Sequence, residues 1–343
     1  MSADKRITLK DVSEYSGYSL RTVKKAMGNT EYVSYEVRKA VHKAAEVLNY
    51  KRNRLASALV RNKTFKVALV YADISKYYFP EVERGFEKCL DEYHDFGLTI
   101  EYFKCATDQY EWQKDILNTI LAREDINAVV IQPMSATGMN DAINRIVDAG
   151  KPVVTFGADA CKSDRMCYIG LNAYKSGRMA AQIMANYIGK KGNIYIINQL
   201  AEHMQTVERS EGFSHYIKDN FPDINIYKVD IPVNVNMYYD IIKSIVLNED
   251  VSGFFCTDAD GYVAGKVLCD LDRKDITMIG YDLPEESCKL MRDGFIKVLI
   301  YENAELQGYL SLKIMYNYLM ENVMPEKELI YIDGNIIISE CLS

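Results

Sequence analysis

The sequence predicts an N-terminal all-α domain of helix-turn-helix type, joined by a short basic segment to an α/β module of two doubly wound parallel-sheet lobes. Three observations carry this expectation. Residues 1 to 66 hold fifteen Lys or Arg against six Asp or Glu, a net of +9, so the rest must hold −16 to give −7 over 343 residues. Apolar residues in the first 50 positions recur at helical spacing. From Phe65 onward, apolar runs alternate with amphipathic segments, and the whole series occurs twice.

Taken in order, Thr8-Leu9-Lys10-Asp11 has the form of a capping box, and Leu9, Val12 and Tyr15 follow at helical spacing until Gly17. Ser19 caps a second helix with Leu20, Val23 and Met27 on one face and Arg21, Lys24 and Lys25 elsewhere, ended by Gly28-Asn29. A third helix starts at Ser34 and carries Val37, Ala40, Val41, Ala44, Ala45 and Leu48 on one stripe. Two short helices around a tight Gly-containing turn, propped by a third, make a helix-turn-helix whose second helix enters the major groove.

The stretch "KRNRLASALVRNK", residues 51–63, fits neither a flexible linker nor a core helix. It lacks Gly and Pro, and Lys51, Arg52, Arg54, Arg61 and Lys63 surround the apolar Leu55, Leu59 and Val60. Beyond it, "FKVALVYA", "LTIEYF", "NAVVIQP" and "KPVVTF" read as buried parallel strands, with helices near 80–94, 110–123 and 136–149. "GNIYIINQ", "INIYKVD", "SGFFCTD" and "DITMIGYD" repeat the scheme, with helices near 173–190, 205–220, 235–248 and 259–271. Two doubly wound units place ligand-facing loops at the carboxyl ends of their strands, and the cleft between them is the natural binding site.

Composition narrows the class. With 48% hydrophobic and 26% charged residues the chain is ordinary for a globular protein. Its first residues lead into no apolar h-region, and no stretch approaches the roughly 18 apolar residues of a membrane span, so a cytosolic protein without a membrane partner is expected. Eight scattered Cys form no C-x-x-C pair, which indicates neither a zinc site nor a disulfide framework. The four His are dispersed, and neither G-x-x-x-x-G-K, H-E-x-x-H nor a nucleophile elbow is present, so no cofactor and no catalysis are expected.

The stretches "ITLKDVSEYSGYSLRTVKKAMGN", "YVSYEVRKAVHKAAEVLNYKRNRLASAL" and "VALVYADISKYYFPEVERGFE" resemble, in order and spacing, the lactose-repressor family of bacterial transcription regulators. The resemblance runs from about Ile7 to the C-terminus, with its specific motifs in the first 90 residues. It implies base contacts from Leu20, Arg21 and Lys25. Arg and Lys can donate to guanine O6 and N7, and a leucine can meet a thymine methyl. Thr22, Ser34 and Tyr50 are phosphate contacts or caps, and Asn53 and Arg54 join the DNA-contacting set. It also implies that residues 51–63 are a hinge that becomes a helix on the operator, where Leu59 wedges into the minor groove. A short helix is marginal in water, so a partner subunit and a DNA groove are what could bury Leu55 and Leu59. Arg52 stands where the family usually has proline, and "TVKKAMG" replaces its more usual residues.

The second module resembles the periplasmic sugar-binding fold that this family uses as its sensor. The expected division is residues 1–50 as headpiece, 51–63 as hinge, 64–160 with about 301–325 as N-lobe, and 161–300 with about 326–343 as C-lobe. The chain would then cross between lobes near Asp159, Tyr301 and Pro325. The implied ligand residues are Lys76, one of Tyr78 and Phe79, Gln132, Arg209, Asp258, Asp282 and Glu302. Arg209 offers a rigid fork of donors, and Asp258 and Asp282 can accept from hydroxyls or can instead cap a following helix. Glu302 stands where the family often has glutamine, Gly157 where sugar-binding relatives have aspartate, and Lys76 where asparagine is common, which admits an acidic or phosphorylated ligand. The resulting expectation is a homodimeric repressor whose affinity for double-stranded operator DNA is set by a sugar, sugar phosphate or cyclitol, as inducer or corepressor. A solute-binding protein and an enzyme acting on a small polar ligand are the competing readings.

Overall fold

The computed structural model describes residues 7–27, 33–48, 64–73, 75–105, 110–199, 203–232 and 234–342. In the headpiece, α1 spans Leu9–Ser16, α2 Leu20–Met27 and α3 Tyr35–Val47. The capping box forms: Asp11 N–H donates to Thr8 Oγ1 at 3.4 Å, and Thr8 N–H to Asp11 Oδ2 at 2.6 Å. Gly17 closes α1 at φ 72°, a conformation that costs glycine little, and Ser19 Oγ accepts from Thr22 N–H at 3.1 Å to start α2. Val12, Val23, Ala26, Val41, Ala44 and Ala45 form a core of their own. Tyr15, expected on the same stripe, is 59% exposed. Each step of three residues turns about 60° short of a full circle, so the second step beyond Leu9 leaves the buried face.

The first lobe is built from β1 Phe65–Ala72, α4 Tyr78–Tyr93, β2 Leu98–Cys105, α5 Tyr110–Leu121, β3 Ala128–Ile131, α6 Asn140–Asp148, β4 Val153–Phe156 and β5 Cys167–Gly170. The second comprises α7 Ala173–Tyr187, β6 Gly192–Gln199, α8 Met204–Asn220, β7 Ile224–Ile231, α9 Val235–Asn248, β8 Gly253–Cys256, α10 Tyr262–Asp270, β9 Thr277–Tyr281, α11 Glu285–Arg292 and β10 Val298–Tyr301. After α12 Ala304–Glu321, the chain adds β11 Leu329–Tyr331 to the first sheet and β12 Asn335–Ile337 to the second. The strand orders are β11-β5-β4-β3-β1-β2 and β12-β10-β9-β8-β6-β7. All pairings are parallel except β10 with β12.

This strand order moves two of the three crossings. Because β5 pairs with β4 and β11 pairs with β5, the chain leaves the first lobe at residues 171–172 and returns to the second at 332–334, rather than near Asp159 and Pro325. The middle crossing lies at 302–303, between β10 and α12. β11 is mostly exposed and pairs with a strand about 160 residues earlier in the chain, so the pairing became visible only in three dimensions.

Two helix pairs lie in unusually close contact. A Cβ on Gly85 in α4 would overlap the Glu305 carbonyl of α12, and one on Gly308 would overlap the Val82 carbonyl in return. Likewise, a Cβ on Gly177 in α7 would overlap the Arg209 carbonyl of α8, and one on Gly212 the Tyr174 carbonyl. Glycine removes the side chain that would hold each pair apart, so the second pair sets the position of Arg209 directly. Arg165, its side chain 1% exposed, is held by Asp159 through Nη2 at 2.6 Å and by Glu328 through Nη1 at 2.9 Å. Asp159→Ala leaves that buried guanidinium half compensated and is expected to cost about 3 kcal/mol; a change under about 1 kcal/mol in urea unfolding would contradict the assignment.

Candidate functional site

The carboxyl ends of both sheets face each other across the inter-lobe cleft. β3 delivers Gln132, β4 delivers Gly157, and β8, β9 and β10 deliver Thr257 and Asp258, Asp282, and Glu302. Arg209 comes from the second turn of α8 and is 4% exposed. Its Nη2 lies 2.6 Å from Glu302 Oε1, its Nη1 donates to the Thr257 carbonyl at 2.7 Å, and its guanidinium sits 3.8 Å from the centroid of the Tyr281 ring. Burial opposes the Arg209 charge, but Glu302, Tyr281 and Asp282 outweigh it and hold the group more firmly protonated than usual.

Asp282, 8% exposed, completes the cluster in a left-handed conformation at φ 59°. Asn303, beside Glu302, has φ 55°, so two strained residues flank the same charged group. Burial, then the Glu302 carboxylate, push the Asp282 carboxyl well above the usual range. Asp282 Oδ1, Glu302 Oε2 and Arg209 Nε are buried without a hydrogen-bond partner.

Asp258 has a different task. Its Oδ1 accepts from Asp260 N–H at 2.9 Å and caps the 3-10 turn Ala259–Gly261 ahead of α10, while its Oδ2 accepts from Gln199 N–H at 3.2 Å and ties it to the end of β6. Burial, then Asp260 beside it, push this carboxyl up to about 7. The folded value lies above the unfolded value of about 3.9, so the contribution to stability is full below about pH 4 and is lost as pH rises through about 7. Asp258→Asn should flatten that slope; an unchanged difference between urea midpoints at about pH 5 and about pH 8 would contradict it.

The aromatic pair divides. Tyr78 faces the cleft: its hydroxyl donates to Gln307 Oε1 at 2.7 Å, and Gln307 Nε2 donates to the Glu302 carbonyl at 2.9 Å. Phe79 does not join it, being 2% exposed and stacked on Tyr71 at 4.8 Å inside the first lobe. Consecutive residues on a helix diverge by 100°, so only one of two neighbours reaches a given cleft. A Cβ at Gly157 would meet the Tyr78 hydroxyl and then Gln132 Nε2, so Gly157, at φ 66°, leaves room for this meeting of side chains. Lys76 lies at the mouth, not with the buried cluster: its Nζ is 4.8 Å from the Tyr77 ring centroid and 5.6 Å from that of Tyr262 in the other lobe. The lobes also meet where Gln205 Nε2 donates to the Gly157 carbonyl, and where Tyr301 donates to Glu81 at 3.0 Å.

Sequence reasoning missed Gln307, Tyr281, Gln205 and the Tyr77–Tyr262 contact. Gln307 carried a signal, because it is a lone amide on the face of α12 shared with Ala304, Gly308 and Leu312. The others were indistinguishable from core aromatics or surface amides until the lobes came together.

In the headpiece, Leu20 and Arg21 open α2 on its exposed face, Leu20 being 38% exposed, with Lys25 half-buried beyond them. The Thr22 hydroxyl is 2.8 Å from the Oγ of Ser19, the residue that caps α2, and Ser34 Oγ accepts from Val37 N–H at 3.4 Å, so Ser34 caps α3. Tyr50, Asn53, Arg54, Leu59 and the whole 51–63 segment lie outside the described residues.

Residues 8–53 match the family described as bacterial regulatory proteins, lacI family, and residues 67–322 match the periplasmic binding protein domain. The chain belongs to the periplasmic binding protein domain family and carries a lacI-family headpiece ahead of that domain. The chain is 23% identical over 251 residues to the sucrose operon repressor of Pediococcus pentosaceus, covering 73% of each chain. It is 22% identical over 256 residues to the ribose import binding protein of Bacillus subtilis, covering 73% of this chain and 80% of that one. Among solved structures, a putative LacI transcriptional regulator from Bacteroides fragilis superposes with TM-score 0.74 at 19% identity, over 81% of this chain and 98% of the other. The LacI-type headpiece, together with repressor relatives, makes this chain a DNA-binding transcription regulator rather than a free-standing solute-binding protein. No described helix is long and apolar enough to cross a membrane.

Proposed function

We propose that this regulator binds double-stranded operator DNA as a homodimer and releases or tightens its hold when a small polar effector, of sugar type, occupies the cleft between the lobes. The observation that carries the reading is the Arg209–Glu302–Asp282 cluster. Charged groups with unpartnered donors and acceptors, buried where two lobes meet, are costly to keep unless a ligand completes them. The relatives named above, a sucrose repressor and a ribose-binding protein, favour a sugar among small polar ligands. Lobe-bridging contacts at Gln205, Tyr77 and Tyr301 give a ligand a set of interactions that it can tighten or break. If the effector prefers one lobe arrangement and DNA the other, each weakens the other's binding by the same factor.

The DNA-reading part of the proposal rests on Arg21 and Lys25. Arg21→Ala and Lys25→Ala are each expected to lose discrimination at particular base pairs by about 1–3 kcal/mol, measured on a library of operator variants. Uniform weakening across all sequences would make them phosphate contacts instead. Cytoplasmic action follows from this role, since operator DNA lies there.

A further inference from the structure

We propose that the effector of this cleft carries a protonated amine on a polyol frame, as in an amino sugar or aminated cyclitol. The inference rests on the effector-cleft reading above and names its ligand class. Three fully ionisable side chains are buried together, one cationic and two acidic: Arg209 is 4% exposed, Glu302 3% and Asp282 8%. The guanidinium is already engaged by a Glu302 carboxylate oxygen at 2.6 Å, the Thr257 carbonyl at 2.7 Å and the face of Tyr281 at 3.8 Å. Its positive charge is therefore offset before any ligand arrives, and one acidic group remains in excess. In the empty cleft a proton meets that excess, since burial and Glu302 hold the carboxyl of Asp282 toward its protonated form, and a cationic ligand group would take the proton's place.

The unsatisfied atoms match a ligand of mixed polarity. Asp282 Oδ1 and Glu302 Oε2 are buried acceptors on two different residues, and Arg209 Nε is a buried donor beside them. A neutral sugar can supply hydroxyls to all three atoms but brings no counter-charge for the second acid. A phosphate or carboxylate adds a further anion beside Asp282 and Glu302, which a low-dielectric site penalises. An ammonium group supplies three donors and the missing positive charge together. Lys76, the residue that suggested an acidic ligand, does not alter this balance: it stands over Tyr77 and Tyr262 at the mouth, where Asp260 is the acid that feels its charge. The Tyr78 hydroxyl is committed to Gln307.

The test uses matched ligands and the full-length protein in low-salt, slightly acidic buffer. D-glucosamine, D-galactosamine and D-mannosamine are each titrated by calorimetry beside the parent hexose and its 6-phosphate. The amino member of at least one set should bind about 10-fold tighter than its parent, with the phosphate weakest of the three. Glu302→Gln should reduce the amine preference to below about 3-fold. Should that variant fail to fold, because Arg209 loses its partner, the isosteric Asp282→Asn makes the same test. Equal or tighter binding of the parent hexose or the phosphate overturns the ligand class while leaving the cleft reading intact. An amine preference that survives both substitutions, or binding by no member of the panel, overturns the class as well. The cleft reading is decided separately, by the operator response of Arg209→Ala.

Discussion

Arg209→Ala is expected to lower the stability of the two-lobed module by about 3–5 kcal/mol, a fall on the order of 10 °C in melting temperature, and to abolish the effector response. The reason is the company Arg209 keeps. Its removal takes the counter-ion from Glu302, the donor from the Thr257 carbonyl and the cation from the Tyr281 ring at once. Glu302 and Asp282 would then face each other as buried acids with no positive charge between them. Operator binding without effector should survive, because the headpiece has a separate core of Val12, Val23, Ala26, Val41, Ala44 and Ala45. Adding Glu302→Gln to the variant should restore part of the stability, since it removes the uncompensated charge. A loss below about 1 kcal/mol, or a retained operator response to effector, would take Arg209 out of the role given to it here.

Gly177→Ala is the second large effect, and it acts on the same group from behind. The added methyl would overlap the Arg209 carbonyl, which is backbone and cannot rotate aside, so α7 and α8 must separate. The cost is expected to be about 1–3 kcal/mol, read from urea unfolding, with weakened effector binding because Arg209 shifts relative to Glu302. Gly212→Ala strains the same contact through Tyr174, so the two substitutions together should cost less than their sum. Gly85→Ala provides the comparison: it forces apart α4 and α12 by the same overlap, at the Glu305 carbonyl, without touching Arg209. If Gly177→Ala costs stability but leaves effector affinity unchanged, the close packing of α7 on α8 positions nothing in the cleft.

How legible the molecule was depended on the range of the interaction. Local rules placed α1, α2 and α3, because Thr8, Gly17, Ser19 and Ser34 cap their helices through atoms three or four residues away. The long strands β1 and β6 start and end where their apolar runs do, at Phe65–Ala72 and Gly192–Gln199. The strands β5, β10, β11 and β12 were not legible, since their pairing is set by neighbours far along the chain. For the same reason two lobe crossings moved to 171–172 and 332–334.

In the site, the amino-acid sequence by itself determined the inventory: an arginine in α8, acids after β8, β9 and β10, aromatics at the start of α4, and a cationic headpiece attached to an acidic remainder. Only the tertiary structure decided what each member does. Asp258 and Asp282 are the same residue type at the ends of adjacent strands, yet one has both oxygens tied to backbone amides and the other keeps a buried oxygen unpartnered. Tyr78 and Phe79 are adjacent aromatics, yet one reaches Gln307, 229 residues away, and the other stacks in the core. Charge and hydrogen-bonding capacity belong to a side chain and are written in sequence, whereas desolvation and partnership depend on which distant atoms fold against it.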